Sequence, residues 1–209
     1  VANASHELRT PLAIQRTLLE VETTDPDASA DLRRVGSQLL RINARHERLV
    51  DDLLTLARGE SPVGEDDRVD LADLVGHGLP VLDHRSVQVS TTLHPAAVVG
   101  SAGLLDRLVL NLVGNALQHN VPGGWANVST GSGPSGSVLE VANCGPVLAP
   151  HEVQGLLRPF SRGRDRVGPG HGLGLSIAQA VVVGHGGSMV LDPIPAGGLR
   201  VRVVLPGPG

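Results

Sequence analysis

Leu32, Val35, Leu39, Ile42, His46, Leu49, Leu53 and Leu56 recur at alternating three- and four-residue spacing, a period that a strand cannot use and an α-helix must. Arg33, Arg34, Arg48 and Asp52 flank the row, as charges flank the seam of a coiled coil. A companion row, Val1, Ser5, Leu8, Leu12, Gln15 and Leu19, precedes it. Between the two lies Thr23-Thr24-Asp25-Pro26-Asp27, which is turn chemistry, and either Asp27 or Ser29 can cap the second helix. Residues 1–58 therefore predict an antiparallel helical hairpin. Two amphipathic helices cannot bury both stripes alone. Docking onto an identical pair gives a four-helix bundle, so a homodimer is expected.

Residues 59–68 are Gly, Pro and acid with almost nothing to bury, and predict a linker or hinge. From 69 to 209 the pattern changes. Short β-rich runs occupy 87–93, 97–100, 126–130, 138–143, 188–191 and 199–205, and helical patterns 71–83, 101–119 and 173–184. Strand runs with segregated helices predict an α+β sandwich. No internal repeat is evident. Of the 209 residues 41% are apolar, enough for a core, but with one Trp and one Phe it must be filled by Leu, Val, Ile and Ala. All 17 basic residues are arginine, without a basic block, and the net charge is −4, which argues against a nucleic-acid-binding protein. The longest apolar runs, such as 180–183, fall far short of the roughly 18 residues of a membrane span. The single Cys144 excludes an intrachain disulfide and permits a reducing compartment. The chain opens at Val1 in apparent mid-helix, without Met or a signal-peptide pattern, so a fragment of something longer is expected.

Three constellations carry chemistry. In Ser5-His6-Glu7-Leu8-Arg9-Thr10-Pro11-Leu12, a carboxylate follows an imidazole directly. A carboxylate accepting from one ring N–H fixes the tautomer and makes the other nitrogen a better nucleophile. Pro11 lacks an N–H and bends the helix one turn beyond His6. The same pair also suits an ordinary solvated face. Asn111, Asn115 and His119 stand at i, i+4 and i+8, sharing one helical face while Leu105, Leu108, Leu112 and Ala116 supply the buried one. Asn oxygens suit Mg²⁺, which takes few protein ligands and the rest from phosphates and water; a plain polar outer face is the alternative. Gly168-Pro169-Gly170-His171-Gly172-Leu173-Gly174-Leu175 opens into a helix, where backbone N–H groups can approach a phosphate. Its spacing is neither G-x-G-x-x-G nor a P-loop. Before it, a long loop holds Arg158, Phe160, Arg162 and Arg164, fit for a lid whose arginines clamp phosphate or for a solvated basic loop.

Taken in order, these motifs resemble the catalytic half of a bacterial two-component sensor histidine kinase. Residues 5–12 are similar to the family's H-box, 111–120 to its N-box, Asn143-Cys144-Gly145-Pro146 to its first glycine box, 158–163 to its F-box and 170–175 to its second. The resemblance extends over essentially the whole chain. It implies a dimerisation and histidine-phosphotransfer hairpin (residues 1–58) and a GHKL-type ATP-binding α/β sandwich (69–209), joined by the hinge. It makes the chain the cytoplasmic portion of a sensor in the inner or plasma membrane, with the membrane reached only through segments N-terminal to it.

On the same resemblance, His6 is the phosphoacceptor, Glu7 its activating base, and Thr10 positions water for dephosphorylating the partner, a response regulator receiver domain. Asn115 is the Mg²⁺ ligand. Asn111 and His119 belong to the ATP site, Asn143 faces adenine beside Gly145, and Arg162 reaches the terminal phosphate. Gly170, Gly172 and Gly174 shape the phosphate loop, and Phe160 anchors the lid. Three positions depart from the family pattern: Asn143 stands where Asp is usual, Val147 where the box has its second Gly, and Gln118 where many members carry Lys or Arg. A neutral acceptor lacks charge assistance, so the expectation is weak ATP binding. The implied activity is ATP-dependent autophosphorylation followed by transfer to an Asp of the regulator. The alternatives are a weak or inactive dimeric interaction and phosphatase module, and a plain ATPase. Because the first helix starts only five residues before His6, a weakened dimer or a monomer is expected.

Overall fold

The computed structural model describes residues 2–58, 67–82, 87–159 and 172–208, with the side chains of 2–9, 45, 48–49 and 51–58 outside the description. It divides into two units, Val1–Arg58 and Gly59–Gly209.

The first unit is the hairpin, α1 (Ala2–Thr24) and α2 (Ala30–Arg58). Of the two candidate caps it is Ser29 that acts, its Oγ accepting from the Leu32 N–H at 3.2 Å. Arg33 staples the turn by donating to the Asp25 and Pro26 carbonyls. Gly36 is buried where a Cβ would collide with the Thr23 methyl, so a glycine lets the helices close at the turn. The α2 face against α1 carries Gly36, Leu40, Asn43, Glu47 and Val50. The described part of the predicted seam does not; the side chains of Leu49, Leu53 and Leu56 lie outside the described residues. Leu32, Val35, Leu39 and Ile42 are 41–49% exposed, as are Ile14, Leu18 and Val21 of α1 at 55–61%. The described part of the sequence row thus marks a second apolar face of α2, distinct from the one packed on α1.

The second unit contains β1 (Asp67–Asp70), α3 (Leu71–Gly78), β2 (Gln88–Leu93), β3 (Ala97–Gly100), α4 (Ala102–Gln118), β4 (Trp125–Gly133), β5 (Gly136–Asn143), α5 (Pro150–Gly155), α6 (Gly174–Gly184), β6 (Ser188–Pro193) and β7 (Leu199–Leu205). Five strands form one sheet in the order β2-β4-β5-β7-β6, antiparallel except for the β2–β4 pair. Alternate strand residues (Val128, Leu139, Val141, Val201 and Val203 among them) are buried, as are Leu71 and Val75 of α3, Leu105, Leu108 and Leu112 of α4 and Ile177 of α6. This is a two-layer α+β sandwich. The opposite sheet face is polar, with Glu140 between Arg200 and Arg202, each at 3.4 Å.

Two elements differ from expectation. Asp67 and Arg68, inside the stretch composition marks as linker, begin β1 and pair with Gly100 and Val99 of β3. Asp70 then caps α3, accepting from the Ala72 N–H at 2.9 Å and the Ala96 N–H at 3.0 Å. The predicted long loop after Pro146 contains α5, with Val153 its buried residue and Glu152 bonding back to the Ala149 N–H.

Candidate functional site

The site is built along α4. Its apolar residues face the sheet, which turns Asn111, Asn115 and His119 to the other side, all three half-buried. Asn111 lies against the first turn of α6, its Oδ1 3.6 Å from where a Cβ on Gly174 would stand. The Asn111 Nδ2 is buried with no hydrogen-bond partner among the described residues. Burying a donor unpaired costs about 1–3 kcal/mol, so the arrangement calls for an acceptor that the described residues do not supply. The start of α6 supplies a matching field, since its first N–H groups are unsatisfied by the helix itself. Gly172, just before it, adopts φ 69°, a conformation glycine reaches without strain.

Two turns further along, roughly 12 Å at 1.5 Å per residue, α4 ends against β5. The backbone N–H of His119 closes the helix on the Asn115 carbonyl at 3.0 Å. A Cβ on Gly145 would sit 2.8 Å from the His119 carbonyl oxygen, so that approach requires glycine. Asn143, 5% exposed, donates its Nδ2 to the Cys144 carbonyl at 2.7 Å, leaving Oδ1 as the accepting end of the amide. The structure therefore places Asn111, Asn115 and His119 along one face of α4, with Gly174 and the preceding Gly172 beside its middle and Asn143 and Gly145 at its C-terminal end.

His6 and Glu7 lie in the other unit, in α1, with side chains outside the described residues; Thr10 there is exposed. Phe160, Arg162, Arg164 and Gly170 lie outside the described residues. Among the described residues no group of three or more His, Cys, Asp or Glu gathers to hold a metal. A divalent cation here would rest on Asn115 and on oxygens of a bound phosphate.

Sequence reasoning passed over the lock that holds this end together. Asn120 Nδ2 donates to the Ala116 and Trp125 carbonyls, and Oδ1 accepts from the Val121 N–H and, at 3.1 Å, from the Cys144 thiol. Cys144 Sγ accepts in turn from the Trp125 N–H at 3.0 Å. The Gly197-Gly198 pair closes over Asn143 and Gly145 so tightly that neither glycine can carry a Cβ, and the Gly198 N–H reaches the Pro146 carbonyl at 3.0 Å. A doubled glycine directly before a strand was the available signal for that contact.

Comparison with known proteins agrees with this layout. Residues 1–62 match the family model for the His Kinase A (phospho-acceptor) domain, and residues 100–209 that for the histidine kinase-, DNA gyrase B-, and HSP90-like ATPase. Sensor protein CutS of Streptomyces coelicolor is 47% identical over 99% of this chain, and the histidine-protein kinase/phosphatase MprB of Mycolicibacterium vanbaalenii 33% identical over 99%. The chain spans about half the length of these curated relatives, 52% and 46%. Among solved structures, a mycobacterial sensor histidine kinase MprB is 30% identical, with a TM-score of 0.61 over 68% of this chain and 97% of that one. ShkA in complex with AMPPNP shares the fold at a TM-score of 0.79, with 22% identity, over 98% of this chain and 45% of that one. No described helix is long and apolar enough to cross a membrane. With a phospho-acceptor hairpin followed by a GHKL-type ATPase sandwich, the chain belongs to the sensor histidine kinases.

Proposed function

We propose that this chain transfers the γ-phosphoryl group of ATP to His6 and then to an aspartate of a response regulator receiver domain. The observation that carries the reading is the unpaired, buried Asn111 amide at the N-terminal turn of α6, a place where an anionic ligand satisfies both. Glu7 accepts from the imidazole of His6 and raises its nucleophilicity. Asn115 would hold Mg²⁺, which would supply charge neutralisation at the phosphates. Asn111 and His119 line the site beside it, and Gly170, Gly172 and Gly174 let backbone N–H groups meet the phosphates. Asn143 accepts from the adenine amino group beside Gly145, and Arg162 reaches the terminal phosphate. Most of the acceleration in phosphoryl transfer is positioning and charge stabilisation, so the segment between the two units, ahead of β1, has to act as a hinge that brings nucleotide and imidazole together. Thr10 orients water for a second duty, removing phosphate from the regulator; the MprB relative is named a histidine-protein kinase/phosphatase.

The two exposed apolar rows, Ile14/Leu18/Val21 and Leu32/Val35/Leu39/Ile42, meet the same rows of a second copy in a four-helix bundle. The relatives being sensor proteins, the chain works as the cytoplasmic portion of a membrane sensor. Incubation with γ-labelled ATP and Mg²⁺ tests the reading. Acid-labile, alkali-stable label that vanishes in His6→Gln supports it.

A second reading rests on Asn143. Its neutral oxygen accepts without charge assistance, which suits a module that holds nucleotide weakly and serves its regulator chiefly as phosphatase. Absence of label at protein concentrations that favour dimers, with regulator dephosphorylation intact, selects that reading. Phosphate release undiminished in His6→Gln selects a plain ATPase.

A further inference from the structure

Asn43 is the one polar residue that α2 buries against α1 almost completely, at 4% exposure among the described residues. It shares the inward row with Gly36, Leu40, Glu47 and Val50. Its Nδ2 donates across the hairpin to the Leu12 carbonyl at 3.0 Å. Its Oδ1 is buried and has no partner among the described residues. As packing this is a poor choice. Leucine has the same branching of heavy atoms, is somewhat bulkier, and would strand no acceptor, so what the asparagine contributes is the one bond to Leu12.

The place of that bond gives it meaning. Leu12 directly follows Pro11, inside a helix that continues from Ala2 to Thr24. Proline donates no N–H, so the Glu7 carbonyl loses its rung in the ladder and the turn above Leu12 is the soft joint of α1. Below the joint Arg16 ties the hairpin further, 3.6 Å from Glu47 of α2, while its 2.8 Å contact with Glu20 stays within α1. His6 stands six residues above Leu12, roughly 9 Å along the axis. Any rotation or slide of α1 at Leu12 is carried by that lever to the imidazole, and in-line transfer tolerates little misplacement. The Leu12 carbonyl is therefore a point at which α2 fixes α1 directly below the joint.

We infer that Asn43 is a positioning residue for phosphoryl transfer: by holding the Leu12 carbonyl directly below the Pro11 joint it sets the azimuth and register of the segment that carries His6. This rests on the reading of His6 as phosphoacceptor. A buried asparagine that fixes register at a cost in stability has a direct parallel at the core positions of coiled coils.

The test compares the whole chain with Asn43→Leu and Asn43→Gln for label incorporated from γ-labelled ATP, KM for ATP, thermal midpoint by circular dichroism, and amide exchange over residues 8–16. Asn43→Leu is expected to melt at the same temperature or higher and to keep its KM. Its rate of labelling at saturating ATP falls about tenfold, and exchange near Pro11 quickens. Asn43→Gln, which keeps an amide donor, recovers a large part of the rate. The inference is overturned if the wild type labels and Asn43→Leu labels equally fast, or if its loss of rate accompanies a lower melting point or a raised KM. A wild type that takes no label at all overturns the His6 reading instead, and the inference falls with it.

Discussion

Asn111 and Gly174 face each other across α4 and α6, with 3.6 Å between the amide oxygen and the position a Cβ on the glycine would take. That spacing is ordinary van der Waals contact, so Gly174→Ala fits without a clash. Gly174 is the first residue of α6, where alanine is tolerated at least as well as glycine. On the proposed function, however, the added methyl stands where a phosphate approaches the amide and the helix N-terminus. Gly174→Ala is expected to melt no lower than the wild type while binding Mg·ATP about tenfold more weakly, ~1.4 kcal/mol, by titration calorimetry. Unchanged affinity counts against this face as the nucleotide site.

Asn115 shares that face one turn along and is half-buried. Replacing it with alanine should not harm α4, since alanine is the better helix former. The expected signature is selective. Nucleotide binding without Mg²⁺ stays within about twofold, whereas the strengthening that Mg²⁺ confers drops by about an order of magnitude, as befits a lost inner ligand. Equal losses with and without the metal would show that Asn115 does not ligate it.

Asn143 cannot be exchanged for aspartate cheaply. Its Nδ2 donates to the Cys144 carbonyl at 2.7 Å, and in Asn143→Asp that contact sets an anionic oxygen against a carbonyl oxygen at a site 5% exposed. Losing the donor and burying the charge costs about 1–3 kcal/mol. The melting point of the sandwich should fall by several degrees, on the order of 2–4 °C per kcal/mol for a unit of this size. The family-typical residue is thus expected to destabilise this particular chain, and a melting point at or above that of the wild type would refute the argument.

At Gly145 the contact is with backbone. A Cβ would sit 2.8 Å from the His119 carbonyl, which cannot swing aside as a side chain can. Gly145→Ala should lose about 1–3 kcal/mol through overpacking, read as a lower denaturant midpoint with an unchanged slope.

The exposed rows on the hairpin predict association. Leu39→Glu places a charge in the middle of the Leu32, Val35, Leu39 and Ile42 face, which is 41–49% exposed in one chain. Sedimentation should show the wild type associating as concentration rises and Leu39→Glu remaining monomeric, with equal helix content at low concentration. Identical sedimentation of the two across the range would exclude this face as the interface.

Much of the architecture is written locally. The spans 97–100 and 199–205 coincide with β3 and β7, and the patterns over 101–119 and 173–184 with α4 and α6 to within a residue at each end, because each carries its own period and its own breakers. β1 escaped notice because Asp67-Arg68-Val69-Asp70 offers one apolar residue, and what makes it a strand is β3, some thirty positions downstream. α5 is a six-residue helix with a single buried side chain, Val153, too little for periodicity to register.

Asn111, Asn115 and His119 could be grouped from spacing alone, since a helix puts every fourth residue on one face whatever it packs against. Residue order and period likewise determined that a bundle hairpin precedes a sandwich. Which apolar row of α2 meets α1, that Asn43 reaches the Leu12 carbonyl, that Asn111 is stranded beside Gly174, and that Gly197-Gly198 press on Asn143 were decided by tertiary structure. Contacts between elements depend on azimuth and register, and those are fixed by the summed packing of many residues far apart in the chain, a quantity no local window contains.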